Sequence, residues 1–228
     1  MDYFSQSLIS AIHLLFQFDP NIYFIIWTSL KISLIATLFA SLVAIPLGMV
    51  MAINQFFAKK FLQQLLNTLM AMPTVMIGLI LYGLLSRKGL FGHYALLYTE
   101  NAIILGEICL ILPIIINMTL TAVLATDPRL LTTLKSIGAS QSQSLLPLFK
   151  ELKFVFLAII ITGFGRAIGE VGAAMMLGGN IHGSTRTLTT AIALETSKGA
   201  FEMGLALGIA LLCIAFIVNF LLQKISPS

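Results

Sequence analysis

Charge is what this chain has least of. Only 10% of its 228 residues are Asp, Glu, Lys or Arg, against about a quarter in a soluble domain. That scarcity excludes an ordinary water-soluble fold. The 13 basic and 9 acidic residues leave a net charge of +4, spread along the chain without a basic run, so a nucleic-acid surface is not expected. The two cysteines, Cys109 and Cys213, fall in apolar stretches and read as small buried hydrophobes. No metal-ligand spacing occurs, and no nucleophile lies beside a base in a catalytic pattern. No Gly-x-x-x-x-Gly-Lys-Ser/Thr phosphate loop is present either. The single Lys-Ser pair, Lys135-Ser136, has no glycine in the residues before it. Catalytic residues, metals and cofactors are therefore not expected, and ATP-driven work would need another subunit.

What is present is hydrocarbon: 58% of the residues are hydrophobic, and mean hydropathy is +1.00. Apolar runs predict an all-α membrane bundle of five spans at about 32–53, 62–85, 102–124, 154–177 and 203–222. The opening residues 1–21 lack a positive n-region and a cleavage site. Their apolar residues recur at helical spacing up to Asp19-Pro20, which predicts an interfacial helix. The membrane domain then covers 22–224.

Loop charges orient the bundle. With the N-terminus outside, Lys59, Lys60, Arg129, Lys135, Lys150, Lys153 and Lys224 face the cytoplasm, and Arg87, Lys88, Arg186 and Lys198 face outward. The inner side carries the excess, as cytoplasmic loops do. Pro46, Pro73 and Pro113 lie inside spans, where each frees a carbonyl that must find another partner.

Two stretches carry the functional reading. In the first, GFGRAIGEVGAAMMLGGN (163–180), Arg166 stands about 18 Å along a helix from Phe154, near the middle of the hydrocarbon. Glu170 is four residues on, close enough to pair with it. The pair either fixes helix packing or lines a translocation path. Gly165, Gly169 and Gly172 share a neighbouring stripe, and Gly204 and Gly208 form a second small-xxx-small pair. Both allow helices to approach closely. The following loop, GGNIHGSTRT, offers Asn180, Thr185, Arg186 and Thr187 for docking an external protein or contacting an anion. His93 and His182 read as solvated loop residues, and His13 lies on the N-terminal helix.

The second stretch is the inner loop 125–153, ATDPRLLTTLKSIGASQSQSLLPLFKELK. Two short amphipathic helices joined at Gly138 are shaped to enter a partner's groove or merely to connect two spans. The helix–Gly-Ala–helix loop before the fourth span resembles that of type-I ABC importer permeases, where it couples to a cytoplasmic ATPase. Gly138 and Ala139 match the centre of that pattern. Thr132, Thr133 and Leu134 stand where Glu-Ala-Ala is usual, Glu151 takes the closing proline's place, and Pro147 comes early.

The resemblance narrows at GFGRAIGEVGAAMMLGGNI and TRTLTTAIALETSKGAFEMG, which are similar to permeases of tungstate importers, relatives of the molybdate ones. It covers about residues 25–222. It implies a homodimer in a prokaryotic plasma membrane, a cytoplasmic ATPase partner and an extracytoplasmic oxyanion-binding protein. It also implies ATPase coupling through Leu131, Thr132, Lys135, Gly138, Ala139 and Ser140. A stand-alone transporter would show inverted repeats with matching broken helices, which this pattern of spans lacks. An intramembrane enzyme would have only Glu107 and Glu170, on different spans.

Overall fold

The computed structural model describes residues 3–17, 19–126, 136 and 140–225. Among them there are ten α-helices and no strand. Helix α1 (Tyr3–Phe16) precedes α2 (Pro20–Ile53), whose start is set by Asp19. That carboxylate accepts the Asn21 N–H at 2.8 Å, and Pro20 occupies the first turn. At 34 residues, α2 is about 50 Å long, well beyond the expected span of 32–53.

The centre of the bundle is α2 against α5 (Glu100–Leu124). The two run parallel: Lys31 pairs with Glu100 at 2.6 Å, Ser33 meets Glu107, and Gly48 meets Thr119. The buried side of α2 is small: Ser29, Ser33, Ala36, Ala40, Ala44 and Gly48 all lie there. Leu34, Leu38, Leu42 and Val43 point outward. In lipid the outward leucines gain nothing from leaving hydrocarbon, so small residues that let two backbones approach decide which face packs. Pro46 and Pro113 stay inside continuous helices.

Among the described residues three helices are long and apolar enough to cross a membrane, and two more apolar segments are bent pairs. The second expected span is α3 (Lys59–Met70) followed by α4 (Thr74–Leu85), with a 98° turn between them. Pro73 causes it, because it supplies no N–H and disfavours helix at Met72. At the base of α3, Lys59 is buried and donates to the carbonyls of Ala52 and Asn54, closing the end of α2. It does so as a helix cap.

The fourth expected span is likewise not one rod: α7 (Lys153–Ile168) and α8 (Gly172–Gly178) meet at 61°. Before them comes α6 (Gln141–Glu151), started by a capping box between Ser140 and Gln143. The stretch after α8, expected as an outer loop, contains a helix of its own, α9 (Leu188–Ser197), packed on α10 (Phe201–Ile225) and α2. Helix α1 lies along α10, with Tyr3 stacked on Phe201 at 5.9 Å.

Two further expectations are corrected. Cys109 and Cys213 are exposed, not buried, because each lies on the side of its helix turned away from the packed residues. A methyl group on Gly165 or Gly208 would meet nothing within 4 Å, and on Gly169 only the Gly165 carbonyl. Within this chain, then, Gly165, Gly169 and Gly208 are no helix contact, whereas Gly172 is, and a methyl on Gly204 would stand 3.2 Å from Thr196 Oγ1 of α9. Helices also approach closely at Gly48, Gly78, Gly106, Gly163 and Gly178.

Candidate functional site at the two broken helices

The two breaks touch. A methyl on Gly172, the first residue of α8, would lie 3.1 Å from Thr74 Oγ1 and 2.9 Å from Val75 Cγ2, at the start of α4. One turn on, a methyl on Gly78 would lie 3.0 Å from Ala173 Cα. Gly106 of α5 and Leu177 of α8 close the other side, where a methyl would come within 2.6 Å of Leu177 Cδ1. Helix α8 is thus wedged between α4 and α5, and glycine at each crossing is what lets it in.

Glu170 holds the break between α7 and α8. Its side chain is only 2% exposed, and each carboxylate oxygen serves a different helix. Oε2 lies 3.2 Å from Arg166 Nη1 in the last turn of α7, and Oε1 accepts the Ala173 N–H in the first turn of α8 at 2.9 Å. A helix start presents unpaired N–H groups and a partial positive charge, so a carboxylate there is doubly favoured. The Glu170 carbonyl in turn accepts the Thr189 hydroxyl of α9 at 2.6 Å.

The sequence put Arg166 and Glu170 on one face of one helix, sharing burial. Instead the pair spans a bend, and the burial is unequal: the Arg166 side chain is 40% exposed. The guanidinium therefore reaches the open side of the chain while the carboxylate is sealed within. This geometry suits a cation presented to a cavity on a fixed carboxylate anchor.

The turn after α8 is consumed by internal bonds. Gly179 and Asn180 take left-handed conformations, with φ of 69° and 51°, closing the helix. Thr185 is fully buried, donating its hydroxyl to the Gly178 carbonyl and accepting the Ile181 N–H. Arg186 donates from Nε to Asn180 Oδ1 at 3.2 Å, and Asn180 Nδ2 donates to the Thr190 carbonyl at 3.3 Å. Thr187, also buried, caps α9, and the Leu188 N–H reaches Ser29 Oγ of α2 at 2.6 Å. Thr185 and Thr187 are accordingly structural, because docking or anion contact needs hydroxyls that face outward. The exposed part of this turn is Ile181, His182, Gly183 and Ser184.

Sequence reasoning weighed Glu107 only as one of two acids for an intramembrane enzyme and gave it no site role. It is 3% exposed in the α2–α5 interface and accepts the Ser33 hydroxyl at 3.3 Å on one oxygen. Its other oxygen has no hydrogen-bond partner among the described residues. The signal was available: a carboxyl one turn inside an apolar run, level with the hydroxyls of Ser29, Ser33 and Thr37. Of the expected coupling residues, Ser140 is the cap of α6, and Leu131, Thr132, Lys135, Gly138 and Ala139 lie outside the described residues. Among the described residues no cluster of three or more His, Cys, Asp or Glu could hold a metal.

The fold matches that of an ABC importer's membrane subunit. A chain of the MetNI methionine ABC transporter, solved in inward-facing conformations, superposes with a TM-score of 0.73. The match covers 90% of this chain and 94% of that one at 16% identity. The chain belongs to the family of binding-protein-dependent transport system inner membrane components, whose model matches residues 44–228. Among curated relatives, the tungstate uptake system permease protein TupB of Peptoclostridium acidaminophilum is 37% identical over 225 residues, 99% of each chain. TupB of Campylobacter jejuni is 38% identical over 225 residues, 99% of this chain and 94% of that one. The molybdenum transport permease ModB of Escherichia coli K12 is 24% identical over 210 residues, covering 87% and 92%.

Proposed function

We propose that this chain is the membrane-spanning subunit of an ATP-driven importer that carries tungstate or a related oxyanion into the cytoplasm. The observation that carries the reading is similarity along almost the whole chain to two permeases of tungstate uptake systems, well above that to the molybdate permease. Two copies form the path, a separate cytoplasmic ATPase supplies the energy, and an extracytoplasmic binding protein delivers the anion. The N-terminus lies outside and the C-terminus in the cytoplasm, and α1 rests at the outer membrane interface. The segment 125–153 docks the ATPase through Leu131, Thr132, Lys135, Gly138, Ala139 and Ser140. The exposed residues 181–184, with Arg186 behind them, meet the binding protein.

Arg166 supplies positive potential at the junction of the broken helices, where an oxyanion sheds water on its way through. Glu170 keeps that cation in place without presenting its own charge to the path, since it is sealed on the inner side of the break.

The test is ATP hydrolysis. The purified chain alone has no ATPase activity. The assembled complex hydrolyses ATP faster when a tungstate-loaded binding protein is added. Hydrolysis by the isolated chain, free of contaminating ATPase, contradicts the reading. A complex stimulated by molybdate but not by tungstate favours the molybdate alternative instead.

A further inference from the structure

Helices α2, α6 and α7 leave a groove of about 450 Å³ between them. Its α2 wall is Leu38, Leu42, Ile45 and Pro46, and the facing wall is Leu146 and Phe149 of α6, with Ile160 of α7 at its depth. Leu42 and Leu146 are more than 60% exposed, so the groove opens sideways from the bundle along a membrane-crossing helix. An apolar channel open to the bilayer takes hydrocarbon.

Charge marks one end of it. On α6, Lys150 follows Leu146 by four residues and so continues the groove's own face toward the helix end. On α7, Lys153 precedes Ile160 by seven residues, two full turns, which puts it on the same face about 10 Å nearer the end. The walls are joined there by Phe149 against Phe156, at 5.5 Å between centroids. Lys153 Nζ lies 4.8 Å over the Phe154 ring. Both lysines are exposed, and neither forms an ion pair among the described residues. Glu151 points about 100° of helix away from Lys150. Two unpaired ammonium groups at the mouth of a hydrocarbon slot match an anionic phosphate with an acyl chain below it.

We infer that this groove is a binding site for an anionic phospholipid of the leaflet on the α6 side, with its phosphate on Lys150 and Lys153 and one acyl chain along Leu42, Pro46 and Leu146. In the proposed orientation that leaflet is the cytoplasmic one. The lipid would brace α6, the helix in the second half of the coupling segment 125–153.

The measurement is native mass spectrometry of the full chain in mild detergent, titrated with phosphatidylglycerol or phosphatidylcholine of identical acyl chains. The wild type retains phosphatidylglycerol in preference to phosphatidylcholine. Each lysine removed lowers that preference about fivefold, so Lys150→Gln/Lys153→Gln abolishes most of it. Leu42→Trp, which fills the groove from an exposed position, loses the bound lipid, whereas Leu212→Trp on the outer face of α10 does not. Equal retention of the two lipids by the wild type overturns the inference. So does unchanged phosphatidylglycerol binding in Leu42→Trp, or a cross-link from Leu42→Cys to residues 127–139 showing that the chain itself fills the slot. None of these readouts depends on transport.

Discussion

Gly172 and Val75 touch where two helix breaks meet: a methyl on the glycine would stand 2.9 Å from Val75 Cγ2. Gly172→Ala should therefore push α8 from α4. Overpacking of this kind costs about 1–3 kcal/mol. Gly165→Ala, with open space around it, should be neutral in an isolated protomer. Thermal unfolding followed by size-exclusion fluorescence checks both. Equal stability of the two variants would refute the wedge.

Glu170 and Arg166 should not be equivalent. Glu170→Ala strands the Ala173 N–H in a buried position and frees the break, which costs about 1–3 kcal/mol for the orphaned donor alone. Arg166→Met removes a half-exposed cation, while Ala173 remains bonded to Glu170. The first variant should lower the yield of folded protein, and the second should fold well and lose transport. Comparable instability of both would restore a symmetric buried pair and sink the anchor role of Glu170.

Ser29 joins α2 to the start of α9 through one hydrogen bond from the Leu188 N–H. Ser29→Ala deletes the acceptor in a dry interface, at a cost of about 1–3 kcal/mol. Hydrogen exchange at Leu188 reports it directly, with faster exchange expected in the variant. Unchanged exchange would show that the amide is held some other way.

Thr185→Val keeps the shape of the side chain and removes the hydroxyl that closes the turn after α8. Protease cleavage between 179 and 186 should rise several-fold, whereas His182→Ala, at an exposed position, should leave it unchanged. Equal cleavage of Thr185→Val and wild type would mean that the turn is held without that hydroxyl.

The all-helical membrane class and its apolar segments were legible because hydrocarbon demands long charge-free runs whatever the packing. The breaks were not. Pro73 was visible, but Pro46 and Pro113 have the same chemistry and sit in continuous helices, so residue type alone did not separate a bend from a 98° turn. The second break has no proline. It depends on Glu170 capping a helix that exists only once the bend has formed, and sequence spacing reads that as an ordinary i, i+4 pair. Helix α9 was hidden for a similar reason: its cap pairs Thr187 with Thr190, without the Glu or Gln that usually announces a helix start. Which glycines are close contacts was equally illegible. Gly165 and Gly169 fit the small-xxx-small spacing, yet the crossings are at Gly78, Gly106 and Gly172 on three different helices.

The most direct test of the account is tungstate uptake into proteoliposomes containing the chain assembled with its ATPase, with binding protein outside and ATP inside. Accumulated tungsten is counted per assembled complex. The account predicts uptake that needs both ATP and the binding protein, exceeds molybdate uptake, and falls at least tenfold in a fully assembled Arg166→Met complex. Tungstate accumulation that proceeds without ATP or binding protein, or uptake at the wild-type rate in Arg166→Met, would contradict it.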